Sequence, residues 1–169
     1  MKLLTVVGEG AFGKVFLAKI ASTNKYYGVK MLQKHRLIER QVDLDYAKFE
    51  INVMKDMKHP NILGIDFVRQ EDYYIYLILP FSDGGDLREC FKEKVRANEK
   101  KKFKGVDLTE EQILFWALKI IKAVGYLHSK KIVHRDLKMA NILIDTHSDL
   151  KVCDFGLAYQ FKTDSETQN

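Results

Sequence analysis

Between Ile132 and Asp145 the sequence reads IVHRDLKMANILID, and its polar residues are of the kinds that move protons and hold charged groups. His134, Arg135, Asp136, Lys138 and Asn141 stand within eight positions, framed by Ile132, Val133, Ile142, Leu143 and Ile144. A bland surface loop needs no such set, and the apolar frame favours burial on both sides. A second set lies near the start, where GEGAFGKV, Gly8 to Val15, has glycines in G-x-G-x-x-G spacing. Taken alone, that spacing reads equally as an ordinary hairpin turn. Its context argues against one phosphate-binding use, because a dinucleotide fingerprint leads from a strand into a helix and here β-branched runs stand on both sides. Strand, glycine turn and strand suit a flap whose backbone amides close over phosphates.

The elements that must position these groups follow from hydrophobic spacing. Leu4 to Val7 and Val15 to Ile20 read as strands around the glycine turn, and Tyr26 to Leu32 as a third strand after the Ser22-Thr23-Asn24 turn. Asp43 to Met57 carries Leu44, Ala47, Phe49 or Ile51, and Met54 at helical spacing and ends before Pro60. Ile62 to Arg69 and Tyr73 to Leu79 read as another strand pair, joined at Gln70-Glu71-Asp72. Pro80 to Gly85 has linker chemistry and marks a lobe boundary. Thr109 and Gln112 form a capping box that opens a long amphipathic helix to His128. The lysine-rich insert from Asn98 to Lys104 reads as a solvated loop, and no internal repeat is present.

Composition sets the class. With 46% apolar residues in 169, the chain can bury a respectable core. The net charge of +5 comes from 28 basic and 23 acidic side chains spread along the sequence, so no nucleic-acid partner is expected. Two cysteines are too few for a disulfide framework, and the longest apolar span, Ile113 to Leu127, is broken by Lys119 and Lys122. These features point to a soluble cytoplasmic protein without membrane attachment, the nucleus remaining open.

The motifs, in their order along the whole chain, resemble those of the eukaryotic protein kinase family, serine/threonine type. GEGAFGKV resembles the glycine-rich loop with Phe12 at its tip, YGVK (Tyr27 to Lys30) the strand-three lysine motif, HRDLKMAN the catalytic loop, and DFGLA (Asp154 to Ala158) the magnesium-binding motif. The resemblance implies an α+β, protein-kinase-like two-lobed fold. Residues 1–80 would form the N-lobe, an antiparallel sheet with one main helix. Residues 81–86 would be the hinge, and 87–169 a partial, helical C-lobe ending within the activation segment. It implies ATP and Mg2+ as cofactors and protein serine or threonine hydroxyls as acceptors.

By the same resemblance each polar residue acquires a role. Lys30 would hold the α- and β-phosphates, with Glu50 as its helix partner and Glu39 or Asp45 as alternatives. Asp136 would accept or orient the substrate proton, and Lys138 would neutralise charge at the γ-phosphate. Asn141 and Asp154 would bind magnesium. Arg135 would receive a phosphate on the activation segment, where Thr163, Ser165 and Thr167 lie, whereas His134 would be structural. Gly8, Gly10 and Gly13 would shape the phosphate flap. Val7, Val15 and Leu143 would enclose the adenine, or serve simply as core. Backbone groups of Pro80 and Ser82 would meet the adenine edge, Asp86 the ribose, and Leu79 would gate the back of the pocket. Met54, Ile65, His134 and Phe155 would form an internal apolar stack, and Cys153 would be a small buried hydrophobe.

Departures from the family pattern carry their own expectations. Gly28 stands where alanine is usual, which removes one methyl contact, and Pro80 replaces a hinge acid. The sequence stops at Asn169, before the family's closing helices. A truncated chain is therefore expected, with Trp116, Ile120 and Ile121 incompletely covered and available to a regulatory partner or to self-association. The reading that competes with an active kinase is a non-catalytic, ATP-binding regulatory fragment. A small-molecule phosphotransferase of related fold fits less well.

Overall fold

In this computed structural model the strand-forming runs of the first half build a five-stranded antiparallel sheet in the order β1-β2-β3-β5-β4. The structure describes residues 1–10, 13–39, 41–96, 109–145 and 147–161, leaving aside the side chains of residue 10 and of residues 93–96. Phe12, the Asn98 to Lys104 insert and Thr163, Ser165 and Thr167 lie outside the described residues. Two compact units result, Met1–Met57 with Leu63–Phe81, and Lys58–Ile62 with Ser82–Asn169.

The first unit contains β1 (Lys2–Gly10), β2 (Gly13–Lys19), β3 (Tyr26–Gln33), β4 (Phe67–Gln70) and β5 (Tyr74–Pro80). Strand residues alternate between faces, so a continuous register sorts them into two sets. Ala18, Val29 and Ile78 pack on one face with Phe16, Tyr27 and Tyr76. The intervening positions pair as Val15 with Lys30, Lys30 with Leu77 and Gly28 with Leu79, which puts Lys30 on the opposite face. Helix α1 (Lys34–Glu39) precedes α2 (Gln41–Asp56), whose buried residues Ala47, Glu50, Val53 and Met54 share one face.

Two differences from the sequence expectations have clear causes. The short α1 is an addition, seated by the buried Leu37 while the neighbouring Ile38 is exposed. The strand expected over Ile62 to Arg69 is confined to β4. Ile62 pairs instead with Val152 in the second unit, where the Val152 amide donates to the Asn61 carbonyl, so that backbone is already used.

The second unit contains β6 (Gly85–Asp86), α3 (Leu87–Arg96), α4 (Glu110–Ser129), β7 (Ile132–Val133), a 3-10 turn (Met139–Asn141), β8 (Ile142–Ile144), β9 (Leu150–Val152) and β10 (Tyr159–Gln160). Strands β6, β8 and β9 form one small sheet, and β7 pairs with β10. Leu87, Cys90, Trp116, Ile142, Ile144 and Leu150 make its core. Thr109 caps α4, its hydroxyl accepting from the Gln112 amide at 3.2 Å. The Gln112 Nε2 is buried and has no hydrogen-bond partner among the described residues.

Trp116 corrects an expectation. It is buried, and its indole N–H donates to the Ser148 carbonyl at 3.0 Å, while Ile120 packs against the same core. Ile121 is exposed as expected, and with Leu114 and Leu118 it lies on the side of α4 roughly opposite Trp116. Among the described residues no helix is long and apolar enough to cross a membrane.

Candidate functional site

In the first unit, the sheet face opposite the apolar cluster presents Lys30 and helix α2 presents Glu50. They meet at 2.6 Å between Nζ and Oε1. The carboxylate side chain is 3% exposed and the lysine 22%, so the acid depends on this partner for its compensation. Glu39 and Asp45, the other acids considered for Lys30, lie on the surface, and Asp45 accepts from Gln41. Val15 stands across from Lys30 in the ladder, and Gly8 across from Val15, with Val7 at the bulge beside it and half exposed. Gly28 is buried, and a methyl there would meet Leu79 and Val15 at ordinary contact distances of 3.8 and 3.9 Å.

The glycines of the flap divide by reason. A Cβ on Gly13 would sit 1.8 Å from the Met31 carbonyl oxygen, so this glycine is required by the approach of β3. Gly8 has only ordinary contacts with Val15, at 3.7 and 3.8 Å, and Gly10 pairs with Gly13 across the hairpin. Nothing in the spacing alone separates these roles.

In the second unit the polar residues of the opening motif divide into two groups. Asp136 is the focus of one: Lys138 donates to its Oδ2 at 2.7 Å, and Asn141 Nδ2 donates to the same oxygen at 3.0 Å and to the Asp136 carbonyl at 2.9 Å. The Lys138 ammonium holds the Asp136 carboxyl below the ordinary aspartate range, with the Asn141 amide assisting. Asp136 is therefore a carboxylate at neutral pH, with one oxygen well supplied with donors. His134 belongs to the framework. It is buried, its Nδ1 accepts from the Asp136 amide at 3.3 Å, and its Nε2 lies 3.0 Å from the Cys153 carbonyl. With both ring nitrogens engaged and the ring packed on Phe155 at 5.1 Å, it supports the loop and offers no free base.

Arg135 has φ +62°, and its Nε donates to the Leu157 carbonyl at 2.6 Å while its guanidinium lies 5.3 Å from the Tyr159 ring centre. Pairing of Val133 with Tyr159 brings these segments together.

Asn141 and Asp154 are placed by β8 and β9. The Cys153 amide donates to the Asn141 carbonyl at 2.9 Å, extending the Ile142–Val152 ladder to the residue before Asp154. Asp154 has φ +67° and is exposed, with Gly156 N–H 3.4 Å from its Oδ1. The Asn141 amide nitrogen is spent on Asp136, which leaves the amide oxygen as the atom of that side chain suited to a metal. A carboxylate and an amide oxygen form a hard donor set that fits Mg2+, completed in such sites by water and phosphate oxygens. Among the described residues no group of three or more His, Cys, Asp or Glu could hold an ion by itself.

The remaining predicted positions lie where the ladders put them. Asp86 pairs with Leu143 in the β6–β8 register, and its Oδ1 caps α3 by accepting from the Glu89 amide at 2.9 Å. This capping role was not anticipated for Asp86 and leaves its second oxygen for other use. Ser82 is buried, and Pro80 closes β5 opposite Tyr27. Of the apolar stack, Met54 and Ile65 are joined in the first unit by an amide-to-carbonyl bond of 3.3 Å, and His134 and Phe155 by ring contact in the second.

The profile of the protein kinase domain matches residues 1–169. Among curated proteins, the chain is 34% identical over 162 residues to serine/threonine-protein kinase Sgk1-B of Xenopus laevis, covering 92% of this chain and 33% of that protein. It is 38% identical over 165 residues to Sgk3 of Rattus norvegicus, covering 97% and 31%. With serine/threonine-protein kinase AtPK2/AtPK19 of Arabidopsis thaliana it shares 32% identity over 169 residues, 99% of this chain and 33% of that one. The chain thus spans about a third of the length of these relatives.

Proposed function

Because the chain belongs to the protein kinase domain family, we propose that it transfers the γ-phosphate of ATP, with Mg2+, to serine or threonine hydroxyls of a protein substrate. The observation that carries this reading is the convergence of Lys138 and Asn141 on the Asp136 carboxylate, at 2.7 and 3.0 Å. Bound nucleotide and metal supply the phosphoryl group and much of the charge neutralisation. The chain's own residues supply position and field. Lys30, fixed by Glu50, offsets charge on the α- and β-phosphates. In the first unit, Gly8, Gly10 and Gly13 would meet phosphates, and Val7, Val15 and Pro80 would contact the nucleoside. In the second unit, Asp154 and the amide oxygen of Asn141 would hold the metal, and Ser82, Asp86 and Leu143 would contact the nucleoside.

Asp136 orients the acceptor hydroxyl and receives its proton as the oxygen attacks. Its depressed pKa makes it a weak base, which suits a largely dissociative transfer in which alignment outweighs proton abstraction. Lys138 follows the charge onto the transferred group. Arg135 is the receiver for a phosphate on the activation segment. We place this activity in the cytoplasm, in keeping with two cysteines in the whole chain.

The test measures Mg-dependent ATP binding and phosphoryl transfer to a serine/threonine peptide by the 169-residue chain. Asp136→Ala is expected to lower transfer about 10²- to 10⁴-fold with ATP binding retained. Equal transfer by Asp136→Ala and the unaltered chain would sink the proposal, whereas ATP binding without transfer by the unaltered chain would favour the regulatory-fragment reading.

A further inference from the structure

Away from the catalytic groups, the second unit gathers cations around an aromatic pair. His59 stacks on Tyr126 with ring centres 5.2 Å apart, and the Tyr126 hydroxyl accepts from the Lys58 amide at 3.2 Å. Lys122 on α4 and Lys130 at its C-cap lie four residues either side of Tyr126, on the same side of the helix. Lys130 Nζ stands 5.9 Å from the Tyr126 ring centre. From β9, Lys151 reaches the Pro60 carbonyl at 2.8 Å, beside His59.

The charges do not cancel. Asp149, which also feels the Lys151 charge, is taken by Lys119 at 2.6 Å while Asn61 donates to the same oxygen at 3.0 Å. Lys122, Lys130 and Lys151 form no ion pair among the described residues. His59 responds to this field, its pKa lying below the ordinary histidine value because of burial and then because of Lys122 and Lys151. Its Nδ1 accepts from the Asn61 amide at 3.1 Å, so a neutral ring carries its proton on Nε2 and has a donor to offer.

The geometry points to a docking site for an acidic peptide segment, carboxylates of which bind the ammonium groups of Lys122, Lys130 and Lys151 around the His59–Tyr126 pair. Two features favour a peptide over a single phosphate group or a nucleic acid. The cluster is built from lysines, which act as separate point charges, and it lacks the arginine fork that grips a phosphate from two sides. Three cations on one turn-spaced helix face and an adjoining strand match carboxylates spaced along a short segment, and are too few for the long basic stripe that nucleic acid requires. The site is independent of the proposed phosphoryl transfer and would give the chain a means of choosing its protein partner.

The experiment follows the imidazole signals of the 169-residue chain by NMR, with His59→Gln to assign His59, during titration with acetylated hexaglutamate at constant ionic strength. Bound carboxylates favour the charged imidazole, so the His59 pKa is expected to rise while the other four histidines stay put. Lys122→Gln and Lys151→Gln are each expected to weaken peptide binding about two- to fivefold, the range of an exposed ion pair. Hexaglutamine should be silent, and Asp136→Asn should bind hexaglutamate like the unaltered chain, which separates this site from the catalytic reading. An unmoved His59, undiminished binding in the Lys122→Gln, Lys151→Gln double variant, or inorganic phosphate acting as strongly as the peptide would each overturn the assignment.

Discussion

Lys30 and Glu50 meet across twenty positions of sequence and leave the acid 3% exposed, whereas Lys138 and Asp136 meet across two and leave the lysine 55% exposed. The bond lengths are nearly equal, at 2.6 and 2.7 Å, but the surroundings are not. A carboxylate taken out of water needs its cation, and removing that cation leaves an uncompensated charge. A carboxylate at a loop surface is partly satisfied by solvent, and the exposed pair adds little to stability. One pair is thus part of how the first unit is held together. The other leaves its charges available to what arrives.

This contrast predicts a separation between stability and chemistry. Lys30→Met should lower unfolding free energy by about 3 kcal/mol, the lower end for breaking a buried pair, because the lysine retains some contact with water. The Lys30→Met, Glu50→Leu double variant should recover most of that loss without regaining ATP binding. Lys138→Gln should change stability by no more than about 0.5 kcal/mol. Urea denaturation of the four proteins decides it, and equal losses at Lys30 and Lys138 would remove the distinction.

Within the first unit the same logic separates two glycines. Gly13→Ala places a methyl against the Met31 carbonyl and should cost about 1–3 kcal/mol, whereas Gly8→Ala, with ordinary contacts only, should leave the denaturation midpoint nearly unmoved. Comparable losses would show that the flap, rather than the β2–β3 contact, sets the requirement.

The exposed pair should reveal itself through pH. Asp136 is held below its ordinary value chiefly by Lys138, so the acid limb of the transfer rate should fall below about 3.9, the unperturbed aspartate value. Removing the cation by Lys138→Gln raises the Asp136 pKa and moves that limb upward. A limb that does not move would mean that another group sets it. A modest effect of opposite sign is expected at Gly28→Ala, where space exists beside Leu79 and Val15. A gain of about 0.5–1 kcal/mol should appear as a higher midpoint, accompanied by slightly tighter ATP binding.

Much of the arrangement was legible because it is local. The Thr109 cap, the helical face of α2 and the grouping of His134, Arg135, Asp136, Lys138 and Asn141 in one loop each depend on residues a few positions apart, where backbone geometry dictates the neighbourhood. What escaped involves distant partners. The shortened β4 reflects Asn61 and Ile62 being held by Val152, and Trp116 is buried because its indole finds the Ser148 carbonyl. The capping use of Asp86 could have been read from Glu89 three positions on, a helix-start signal that the linker chemistry obscured.

By itself, the sequence determined the kinds and order of the chemical groups: a glycine turn between strands, a strand lysine, a loop aspartate among polar neighbours and an amide and carboxylate suited to magnesium. Tertiary structure alone decided that Glu50 meets Lys30 while Glu39 and Asp45 stay at the surface, and that Gly13 must be glycine. Spacing specifies what a backbone segment presents to its immediate neighbours. Which distant group completes an ion pair, or which carbonyl forbids a methyl, is fixed only when burial brings them within contact and removes the water that would otherwise take their place.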